Sequence, residues 1–394
     1  MYITKNELKN KKVLLRTDFN VPIEDGIIQD YSRIKNTFDT VKFLKDAEAK
    51  IILISHLGKT TSPNPKQSLK QIVSSLEKEY ESPIAFIADC LDEKAISEAS
   101  EDIILLENLR FYQEEEKCDE NFAKCLAKSA DFYINEAFSV SHRNHASISA
   151  LPKFLPHAFG LSFAKETQTL NGFLQNSSSK MCIIGGAKLS TKINLLKNIV
   201  KKVNRIAIGG GIAGAFLSFM GNQSLKIFHP GNYEEDIKEI IKDSKQCDCE
   251  LIIPTDFSAL ISDKETLNHK IISSKKDNAT IFDIGPDSVE LFKKGIEKSK
   301  MILWNGPIGF FEKAPFNFGT ESIAKYVAQL TKEKKLVSIV GGGDTCFAMN
   351  KFNVFQDLSY VSTAGGAFLC YLEGGELPGI TAMKNPYVLT ESYT

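Results

Sequence analysis

Arginine is scarce in this chain and supplies only five of its 48 lysine and arginine residues. The planar guanidinium fork binds phosphate or carboxylate in one orientation, whereas a lysine acts as a point charge. For a single arginine, an ordinary surface ion pair is the more common role. Three of the five, Arg33, Arg110 and Arg143, stand near polar motifs that suit phosphate, and the other two are Arg16 and Arg205. This distribution favours an anion site over five unrelated ion pairs.

Several other features that the chain lacks narrow its class. The eight cysteines include no Cys-x-x-Cys pair, and Cys247-Asp248-Cys249 alone is a weak zinc signal. The formal net charge is −1, so bulk electrostatics favour neither nucleic acid nor a membrane surface as a partner. No apolar run approaches the length of a membrane span, and the N-terminal residues lack the apolar segment of a signal peptide. We therefore expect a cytoplasmic protein with reduced thiols and no nucleic-acid or membrane partner.

Short apolar runs rich in β-branched residues alternate with longer amphipathic stretches. A chain of 394 residues is long enough for two or three domains. Near-continuous apolar strands separated by helical patterns predict an α/β fold with parallel sheets covered on both faces. The predicted strands are 13–15, 51–54, 84–87, 103–106 and 132–134 in a first series, and 181–184, 206–208, 251–253, 301–304, 337–340 and 358–361 in a second.

A segment containing Pro and Gly, residues 151–160, separates the two series and precedes a helical pattern through Phe173. We interpret this segment as a domain boundary that leads into a connecting helix. It gives a first domain over 1–158 and a second over 159–376. Residues 377–394 leave the alternating pattern, and we expect this tail to pack back on another part of the protein.

Polar motifs follow many of the predicted strands, at the edge of the sheet where α/β folds bind ligands. In the first half of the chain these motifs carry Arg, His, Asp and Asn, as in residues 55–58 and 107–111. In the second half they carry glycine-rich turns and Lys, as in residues 185–188, 209–211 and 341–345. The two halves therefore predict two different binding sites.

Two consecutive glycine-rich loops have the chemistry of a polyphosphate site. Residues 341–345, Gly-Gly-Gly-Asp-Thr, follow a strand and precede a predicted helix, and residues 363–367 repeat the pattern after the next strand. Glycines let backbone N–H groups approach an oxyanion, and a helix N-terminus adds partial positive charge. Asp344 is placed to hold a metal ion that is bound to the phosphates. Lys188 and Lys192 are four residues apart, so we expect them on one helix face. A tight turn without a ligand is the alternative for one such loop.

A third glycine motif permits a different interpretation. Gly209, Gly211 and Gly214 match the GxGxxG pattern of dinucleotide-binding folds, with Glu234 about 20 residues further on. A lone match is weak, and small residues here equally allow a helix to pack closely on a sheet. The chain contains no GxxxxGK[ST] sequence, which excludes a Walker A site.

The single tryptophan begins a loop of Asn, Gly and Pro at residues 304–312. Such a loop suits the edge of a nucleotide site, with Glu312 accepting hydrogen bonds from ribose hydroxyls. A structural turn with an exposed glutamate is the alternative, and on the loop alone it is the better interpretation.

Together, these motifs resemble those of the phosphoglycerate kinase family. They run in family order from residue 16 to about residue 380, cover nearly the whole chain and are highly specific as a set. The motifs are Arg-Thr-Asp-Phe-Asn-Val-Pro at 16–22, Ser-His-Leu-Gly at 55–58, Glu-Asn-Leu-Arg-Phe at 107–111, His-Arg-Asn-His-Ala-Ser at 142–147, Gly-Gly-Ala-Lys at 185–188 with Lys192, the Trp loop at 304–312, and Gly-Gly-Gly-Asp-Thr at 341–345.

The resemblance implies two doubly wound, Rossmann-like domains that face each other across a cleft and are joined by a hinge helix. The first domain would hold 3-phosphoglycerate or 1,3-bisphosphoglycerate, and the C-terminal tail would return to it. The second would hold ATP or ADP with Mg²⁺, and the protein would be a monomer. The implied substrate-binding residues are Asp18, Phe19, Asn20, Arg33, His56, Leu57, Gly58, Lys59, Arg110 and Arg143. The implied nucleotide-binding residues are Lys188, Lys192, Asn305, Glu312, Gly342, Gly343, Asp344, which would also hold Mg²⁺, and Thr345. The implied catalytic residues are Arg33, Lys188, Gly343 and Gly366.

The implied reaction is the reversible transfer of the acyl phosphate of 1,3-bisphosphoglycerate to MgADP, a step of glycolysis and gluconeogenesis. It requires neither a covalent nucleophile nor a general base, because the acceptor carboxylate is already ionised near neutral pH. Positioning and electrostatics therefore supply the catalysis. Arg33, Lys188, Mg²⁺ and the backbone amides near Gly343 and Gly366 would surround the transferring group.

Two further expectations follow from this mechanism. His56 and His145 are expected as hydrogen-bond partners rather than proton shuttles. Water must be excluded from an acyl phosphate, and substrates on separate domains must meet, so we expect hinge closure around residues 155–175.

The chain departs from the family pattern at four places. Lys59 stands where the family usually has Arg, Glu136 replaces a customary Asp, Ser139-Val140 replaces Gly-Thr, and Ala364 replaces a usual Gly. None of these changes removes a residue that is implied in phosphoryl transfer.

Two other functions compete with this one. A nicotinamide-dependent dehydrogenase would use the glycine motif at 209–214, but it leaves the arginine motifs and the loop at 341–345 unexplained. A non-catalytic sensor or scaffold could use the same binding sites. The joint presence of Arg33, Lys188 and Asp344 favours an enzyme, because a pure binder has no need of groups aimed at a transition state.

Overall fold

The computed structural model describes residues 1–220, 233–263, 266–272 and 279–391. The chain forms two compact units, which are Met1–Gln168 with Glu376–Thr394 (unit 1) and Thr169–Gly375 (unit 2). The first division lies ten residues after the expected one at 158/159, because the connecting helix begins inside unit 1 and ends inside unit 2. Residues 392–394 of the expected tail lie outside the described residues.

Unit 1 is built on a parallel sheet with short helices between its strands. Its strands are β1 (Tyr2–Thr4), β2 (Lys12–Arg16), β3 (Ile23–Glu24), β4 (Ile27–Ile28), β5 (Lys50–Ile54), β6 (Ile84–Ile87), β7 (Ile103–Leu106), β8 (Phe132–Asn135) and β9 (His157–Phe159). Its helices are α1 (Lys5–Leu8), α2 (Ser32–Lys35), α3 (Phe38–Asp46), α4 (Val73–Tyr80), α5 (Glu93–Glu98), α6 (Gln113–Glu116) and α7 (Glu120–Ala127). The six-stranded sheet has the order β6-β7-β5-β2-β8-β9, and all its pairings are parallel.

The burial of successive residues in one strand explains why the strands of this sheet appear in the sequence as continuous apolar runs. In β5, Ile51 and Leu53 pack into one core cluster, whereas Ile52 and Ile54 pack into a second cluster. All four are fully buried. Successive side chains of a strand point to opposite faces, so both faces of this sheet are covered and every position is apolar.

The helix α8 (Leu161–Gln175) leads from unit 1 into unit 2. The buried carboxylate of Glu136, directly after β8, accepts hydrogen bonds from the backbone N–H groups of Ser162 and Phe163 at 3.1 Å each. These donors belong to the first turn of α8, which has no intrahelical partners for them. Glu136 therefore fixes the start of the connecting helix to the end of a sheet strand.

Unit 2 contains a second six-stranded sheet and a smaller antiparallel one. Its strands are β10 (Lys180–Ile184), β11 (Arg205–Ile208), β12 (Glu250–Ile252), β13 (Phe257–Asp263), β14 (Thr266–Ile272), β15 (Ala279–Ile284), β16 (Met301–Asn305), β17 (Val337–Gly341) and β18 (Tyr360–Ser362). Its helices are α9 (Ile193–Ile199), α10 (Gly210–Phe219), α11 (Glu234–Gln246), α12 (Pro286–Glu297), α13 (Phe318–Lys332), α14 (Gly343–Lys351) and α15 (Gly366–Leu372). The parallel sheet has the order β12-β11-β10-β16-β17-β18, and the antiparallel sheet the order β14-β13-β15.

The C-terminal segment contains α16 (Pro378–Thr381) and β19 (Val388–Thr390). The strand β19 pairs in parallel with β1, with Tyr2 opposite Val388. The backbone N–H of Gly379 donates to the carbonyl oxygen of Ser141 at 2.9 Å. The two ends of the chain therefore contact the same unit.

The prediction of two parallel-sheet domains is confirmed, and each predicted strand is present with its bounds shifted by at most two residues. The antiparallel strands were not predicted. In β13 the core residues Phe257, Ala259 and Ile261 alternate along the strand, and its apolar run covers just the three residues 259–261. Among the helices that the structure describes, none combines the length and apolar character needed to cross a bilayer.

Candidate active site

In unit 1, the neighbouring strands β2 and β5 end beside a buried carboxylate. Asp18 follows β2, and its side chain is 8% exposed. Its Oδ2 accepts a hydrogen bond from Arg33 Nη1 at 2.6 Å and another from the hydroxyl of Ser139. Its Oδ1 accepts from the backbone N–H of Asn20 at 3.0 Å and lies 4.0 Å from His56 Nδ1. Asp18 thus orients Arg33 through a single terminal nitrogen, Nη1.

His56, directly after β5, lies in a field of arginines. Its Nδ1 lies 3.4 Å from Arg16 Nη2. Burial lowers the pKa of His56 well below its ordinary value of 6.5, and the positive charges of Arg16, Arg110, Arg143 and Arg33 lower it further. One neutral imidazole therefore lies among four guanidinium groups, which is the electrostatic setting of an anion site.

The side chain of Arg110 is the least satisfied group of this cluster. It is 2% exposed, and its Nη1 donates to the carbonyl oxygen of Gly58. Its Nε lies 3.3 Å from a carboxylate oxygen of Glu116, yet neither Nε nor Nη2 has a hydrogen-bond partner among the described residues. Burial and the nearby Arg143 lower the pKa of Arg110. A buried guanidinium with unused donors is costly unless an anion accepts from it.

The remaining predicted residues of unit 1 have different surroundings. The side-chain oxygen of Asn20 accepts from the backbone N–H of Gly58 at 2.8 Å, which joins the loops after β2 and β5. Phe19 and Leu57 are buried in the core cluster, so their side chains do not face a ligand. Lys59 is exposed.

Arg16 and Glu115 were not among the predicted site residues. Arg16 is fully buried, and its Nε donates to the hydroxyl of Ser147 at 2.8 Å. Glu115 is also fully buried, accepts from that hydroxyl at 2.6 Å, and lies 3.7 Å from His145 Nδ1. The scarcity of arginine already marked Arg16, but Glu115 lies in a run of glutamates and carries no sequence signal.

In unit 2, the loops after β10, β11 and β16 enclose a pocket of about 330 Å³. Its wall is largely apolar and aromatic, with Phe282 and Phe310 on one side of the antiparallel sheet, 6.0 Å apart between ring centroids. The predicted residues Glu312 and Asp344 also line it. A pocket with apolar walls and a few polar groups suits a nucleobase with its ribose.

Asp283 is an unpredicted carboxylate in the wall of this pocket. It is 2% exposed and accepts hydrogen bonds from the backbone N–H groups of Gly319 at 2.6 Å and Ile284 at 2.9 Å. Burial raises its pKa from an ordinary value of 3.8 to about 7, and these hydrogen bonds oppose the shift. No glycine or arginine motif flanks Asp283, so no sequence pattern marked it as a site residue.

The glycine-rich loops lie directly before α14 and α15. Gly342 has a φ of +99° and Gly365 a φ of +55°, which is the left-handed region that favours glycine. The carboxamide of Asn305 donates to the carbonyl oxygen of Gly341 at 2.7 Å and accepts from Lys192 Nζ. The hydroxyl of Thr345 accepts from the backbone N–H of Gly306 at 2.7 Å. These contacts hold the N-terminus of α14, including the exposed Gly343, beside the end of β16.

The expectation that Lys188 and Lys192 share one helix face is wrong. A 3₁₀ turn, Leu189–Thr191, separates them, and each lysine stands just before a helical turn. Lys188 is exposed, whereas Lys192 is half-buried. Burial lowers the pKa of Lys192, and the negative charges of Glu373 and Asp344 oppose that shift.

The third glycine motif serves the packing of two loops. A Cβ on Gly210 would lie 2.6 Å from the carbonyl oxygen of Gly186, and one on Gly211 would lie 2.4 Å from that of Ala187. Glu234 begins the helix α11, whereas the acidic residue of a dinucleotide fold follows a strand. Close packing against the loop after β10 therefore accounts for the glycines at 210 and 211, rather than the packing of a helix on the sheet.

The departures from the family pattern are accommodated locally. Glu136 caps α8, Ser139 donates to Asp18, and Ala364 has no positive φ, since Gly365 is the left-handed residue of that loop. Lys59 contributes only its carbonyl oxygen, which accepts from Gln67 Nε2 at 3.2 Å.

The described residues include no group of three or more His, Cys, Asp or Glu that could enclose a metal ion. Asp344 is a single exposed carboxylate at the first turn of α14, beside the pocket. Mg²⁺ usually keeps several waters and binds through one or two carboxylates together with substrate phosphates. One carboxylate beside a candidate phosphate site therefore fits a magnesium ion that arrives with a nucleotide.

The arginine cluster of unit 1 has unused donors that suit an anion, and the pocket of unit 2 has a size and lining that suit a nucleotide. Together they indicate a protein that binds a nucleotide and a second, anionic ligand. A sequence model of one family, described as phosphoglycerate kinase, matches residues 3–375. This chain therefore belongs to the phosphoglycerate kinase family.

Individual relatives agree with this assignment. The chain is 42% identical over 385 residues to a phosphoglycerate kinase of Methylorubrum extorquens (strain PA1), with 96% of each protein covered. It is 43% identical over 386 residues to one of Wolbachia pipientis wMel, with 96% of this chain and 97% of the relative covered. The solved structure of phosphoglycerate kinase from Coxiella burnetii superposes with a TM-score of 0.88 at 32% identity, covering 95% of this chain and 96% of that one.

Proposed function

We propose that this enzyme transfers the acyl phosphate of 1,3-bisphosphoglycerate to MgADP, reversibly, and forms 3-phosphoglycerate and MgATP. Unit 1 binds the phosphoglycerate and unit 2 binds the nucleotide. The observation that carries the proposal is the buried Arg110, whose Nε and Nη2 make no hydrogen bond to the described residues, although Nε lies 3.3 Å from a carboxylate oxygen of Glu116. The non-transferring phosphate of the substrate offers the oxygens that would complete them.

The substrate is bound by charge at both of its ends. Arg110 and Arg143 bind the non-transferring phosphate, while Asp18 and Asn20 contact the hydroxyl and carboxylate region. Arg33 reaches the carboxyl group and the phosphoryl group in flight. This role is supported by its 31% exposure and by the Asp18 contact, which uses only its Nη1.

The nucleotide is bound by the pocket and by the two helix N-termini. Glu312 accepts from the ribose hydroxyls, and Lys188 and Lys192 neutralise the phosphates. The backbone N–H groups at Gly343 and Gly366 add donors around the transferring group. Asp344 would hold Mg²⁺, which when bound would supply positive charge beside the nucleotide phosphates.

No residue is required to move a proton in this reaction. Burial and the surrounding arginines lower the pKa of His56 well below 6.5, and burial, followed by Arg16, lowers the pKa of His145 to about 3. Both imidazoles are therefore neutral at pH 7 and do not titrate near it. This supports hydrogen bonding, and not acid–base catalysis, as their role.

The proposal also includes closure, cellular location and oligomeric state. Substrates on different units must meet with water excluded, and bending around α8 during turnover meets that need. All eight cysteines are free thiols, which supports a cytoplasmic location. We expect the monomer to be active, because each proposed binding residue comes from one chain.

Steady-state formation of ADP from MgATP tests the proposal, with and without 3-phosphoglycerate, in a coupled assay that removes 1,3-bisphosphoglycerate. Turnover that depends on both 3-phosphoglycerate and Mg²⁺ is the expected result. Nucleotide binding without such turnover would contradict the proposal and favour the sensor alternative. Binding of NAD in calorimetry would favour the dehydrogenase.

A further inference from the structure

Lys351 is the last residue of α14 and contacts the backbone of the loop that carries Glu312. Its Nζ donates to the carbonyl oxygen of Phe311 at 3.0 Å and to that of Glu312 at 2.8 Å. The same ammonium group lies 6.0 Å from the ring centroid of Phe311, which is 1% exposed. One lysine thus contacts two consecutive carbonyls and the aromatic ring of the first of these two residues.

The helix α14 has a candidate binding group at its other end. Asp344 stands in its first turn, and Glu312 and Asp344 line the same pocket. The nine residues of α14 span about 12 Å from first to last, a rigid distance set by the helical rise. Lys351 therefore connects the loop of Glu312 to the far end of the element that positions Asp344.

The loop from Gly306 to Glu312 is joined to α14 at two separated places. At the start of the loop, the backbone N–H of Gly306 donates to the hydroxyl of Thr345 at 2.7 Å. At its end, Lys351 donates to the carbonyls of residues 311 and 312. Between these places, the backbone N–H groups of Ile308 and Gly309 donate to the hydroxyl of Thr320 at 3.1 Å each. The contacts of Lys351 therefore act on the end of the loop, where Glu312 stands.

We propose that Lys351 is a positioning residue for nucleotide binding, which holds the carboxylate of Glu312 at the distance from Asp344 that one nucleotide needs between its ribose and its phosphates. This inference rests on the proposed function, in which Glu312 binds the ribose. Lys351 itself touches no ligand. Its removal should weaken only the binding that depends on the ribose hydroxyls.

The test measures binding of MgADP and of its 2′,3′-dideoxy analogue, which lacks both ribose hydroxyls, by calorimetry on the full chain. Lys351→Met keeps the length of the side chain and removes its donors. We expect it to weaken MgADP binding about five- to tenfold, the range of one or two lost hydrogen bonds. The dideoxy analogue should bind the variant and the unaltered protein equally. Lys351→Arg, which restores donors, should recover most of the MgADP affinity.

A matched control comes from Lys332, which is also an exposed lysine at the last position of a helix, α13. Its Nζ pairs with Asp357 at 2.9 Å, away from the residues that line the pocket. Lys332→Met removes the same charge from a helix C-terminus and should leave both affinities unchanged. Thermal unfolding of each variant checks that the fold persists, and Lys351→Gln provides a second, polar replacement.

Each outcome decides a different question. If Lys351→Met lowered the affinity for both ligands equally, the pocket would be damaged in general and the inference would be overturned. An unchanged affinity for MgADP would also overturn it. If the unaltered protein binds both ligands with equal affinity, Glu312 does not bind the ribose hydroxyls. The proposed role of Lys351 is then also contradicted. If turnover does not depend on 3-phosphoglycerate, the proposed reaction fails, while the calorimetric comparison still decides the role of Lys351.

Discussion

The surroundings of Arg33 lead us to expect that its loss affects catalysis more than substrate binding. Asp18 holds one of its terminal nitrogens at 2.6 Å, and the side chain remains 31% exposed. In the proposed function, Arg110 and Arg143 bind the non-transferring phosphate of the substrate. We expect Arg33→Ala to lower kcat by about 10³-fold or more, because it removes charge aimed at the transferring group, and to leave substrate binding mostly intact. Steady-state kinetics with varied 3-phosphoglycerate measure both quantities.

The matched control for this change is Arg205→Ala. Arg205 lies at the start of β11, where its Nε is 3.2 Å from a carboxylate oxygen of Glu250 and its Nη1 donates to the Ser179 hydroxyl at 2.9 Å. It is one of the same five arginines but has no proposed part in either site. A near-normal kcat for Arg33→Ala would remove Arg33 from the catalytic centre.

The buried carboxyl of Glu136 predicts a pH dependence of stability. Burial raises its pKa from 4.5 to about 7, against the opposing hydrogen bonds from Thr40 and the first turn of α8. The folded state therefore binds this proton more tightly than the unfolded state, and its contribution is fully present below about pH 4.5 and lost as pH rises through about 7. We expect the free energy of unfolding to fall across this range, by at most about 3 kcal/mol from this group.

Urea unfolding from about pH 5 to about pH 8 measures this slope. Asp283, whose pKa is also raised to about 7, contributes in the same direction, so the unaltered protein alone does not isolate Glu136. Glu136→Gln removes one titrating group and leaves the other. A flatter slope in this variant is expected, and an unchanged slope would contradict the assigned pKa.

At the residue scale, the sequence predicted the arginine cluster because scarcity made each arginine conspicuous. It did not predict Glu115, since a buried glutamate within an acidic run looks like its exposed neighbours. It misjudged Lys188 and Lys192, because four-residue spacing gives one face only if the helix is continuous. The sequence also did not predict a role for Asp283, because the burial of this carboxylate depends on residues distant in the chain.

At the scale of elements, close approach between loops decides where glycine is required. Gly211 lies in the first turn of α10, where a Cβ would lie 2.4 Å from the carbonyl oxygen of Ala187, a rigid backbone atom. We expect Gly211→Ala to lower the free energy of unfolding by about 1–3 kcal/mol, as overpacking does. It should also raise the KM for MgATP, because the loop that it displaces carries Lys188. Denaturant unfolding and kinetics measure the two effects.

Gly172 provides the opposite case within α8. No atom lies within 4 Å of a Cβ built at this position, and its φ is not positive. Gly172→Ala should raise the free energy of unfolding by about 0.5–1 kcal/mol, since alanine favours the helix interior. Equal effects of the two substitutions would show that helix propensity, and not loop contact, dominates at Gly211.

The sequence predicted elements well where both faces of a strand are buried. The parallel strands appear as unbroken apolar runs, as in β5 and β10, so their bounds were close. The antiparallel strands β13 and β15 are interrupted by polar residues such as Ser258 and Asp283, and β9 has only three residues. The first limit between the two units lies ten residues after the expected one, because α8 is continuous across it, whereas the second lies within one residue of its expected place.

At the scale of the whole molecule, the proposal assigns one ligand to each unit, and hydrogen exchange can test that assignment. A ligand that binds only the folded state stabilises it by about 2.7 kcal/mol at a concentration 100 times its Kd, and exchange slows where the contacts form. We expect 3-phosphoglycerate alone to slow exchange in the loops at 17–20, 56–59 and 108–111. MgADP alone should slow exchange at 185–192 and 341–345.

A variant distinguishes direct contact from a general stabilisation of the chain. In Arg110→Ala the effect of 3-phosphoglycerate should disappear, because the buried donors that bind its phosphate are gone, whereas the effect of MgADP should persist. The core clusters of the two units share no residue, so each unit has its own apolar interior to report local protection. If MgADP slowed exchange only in unit 1, or if 3-phosphoglycerate protected the glycine loops of unit 2 first, the assignment of ligands to units would be reversed.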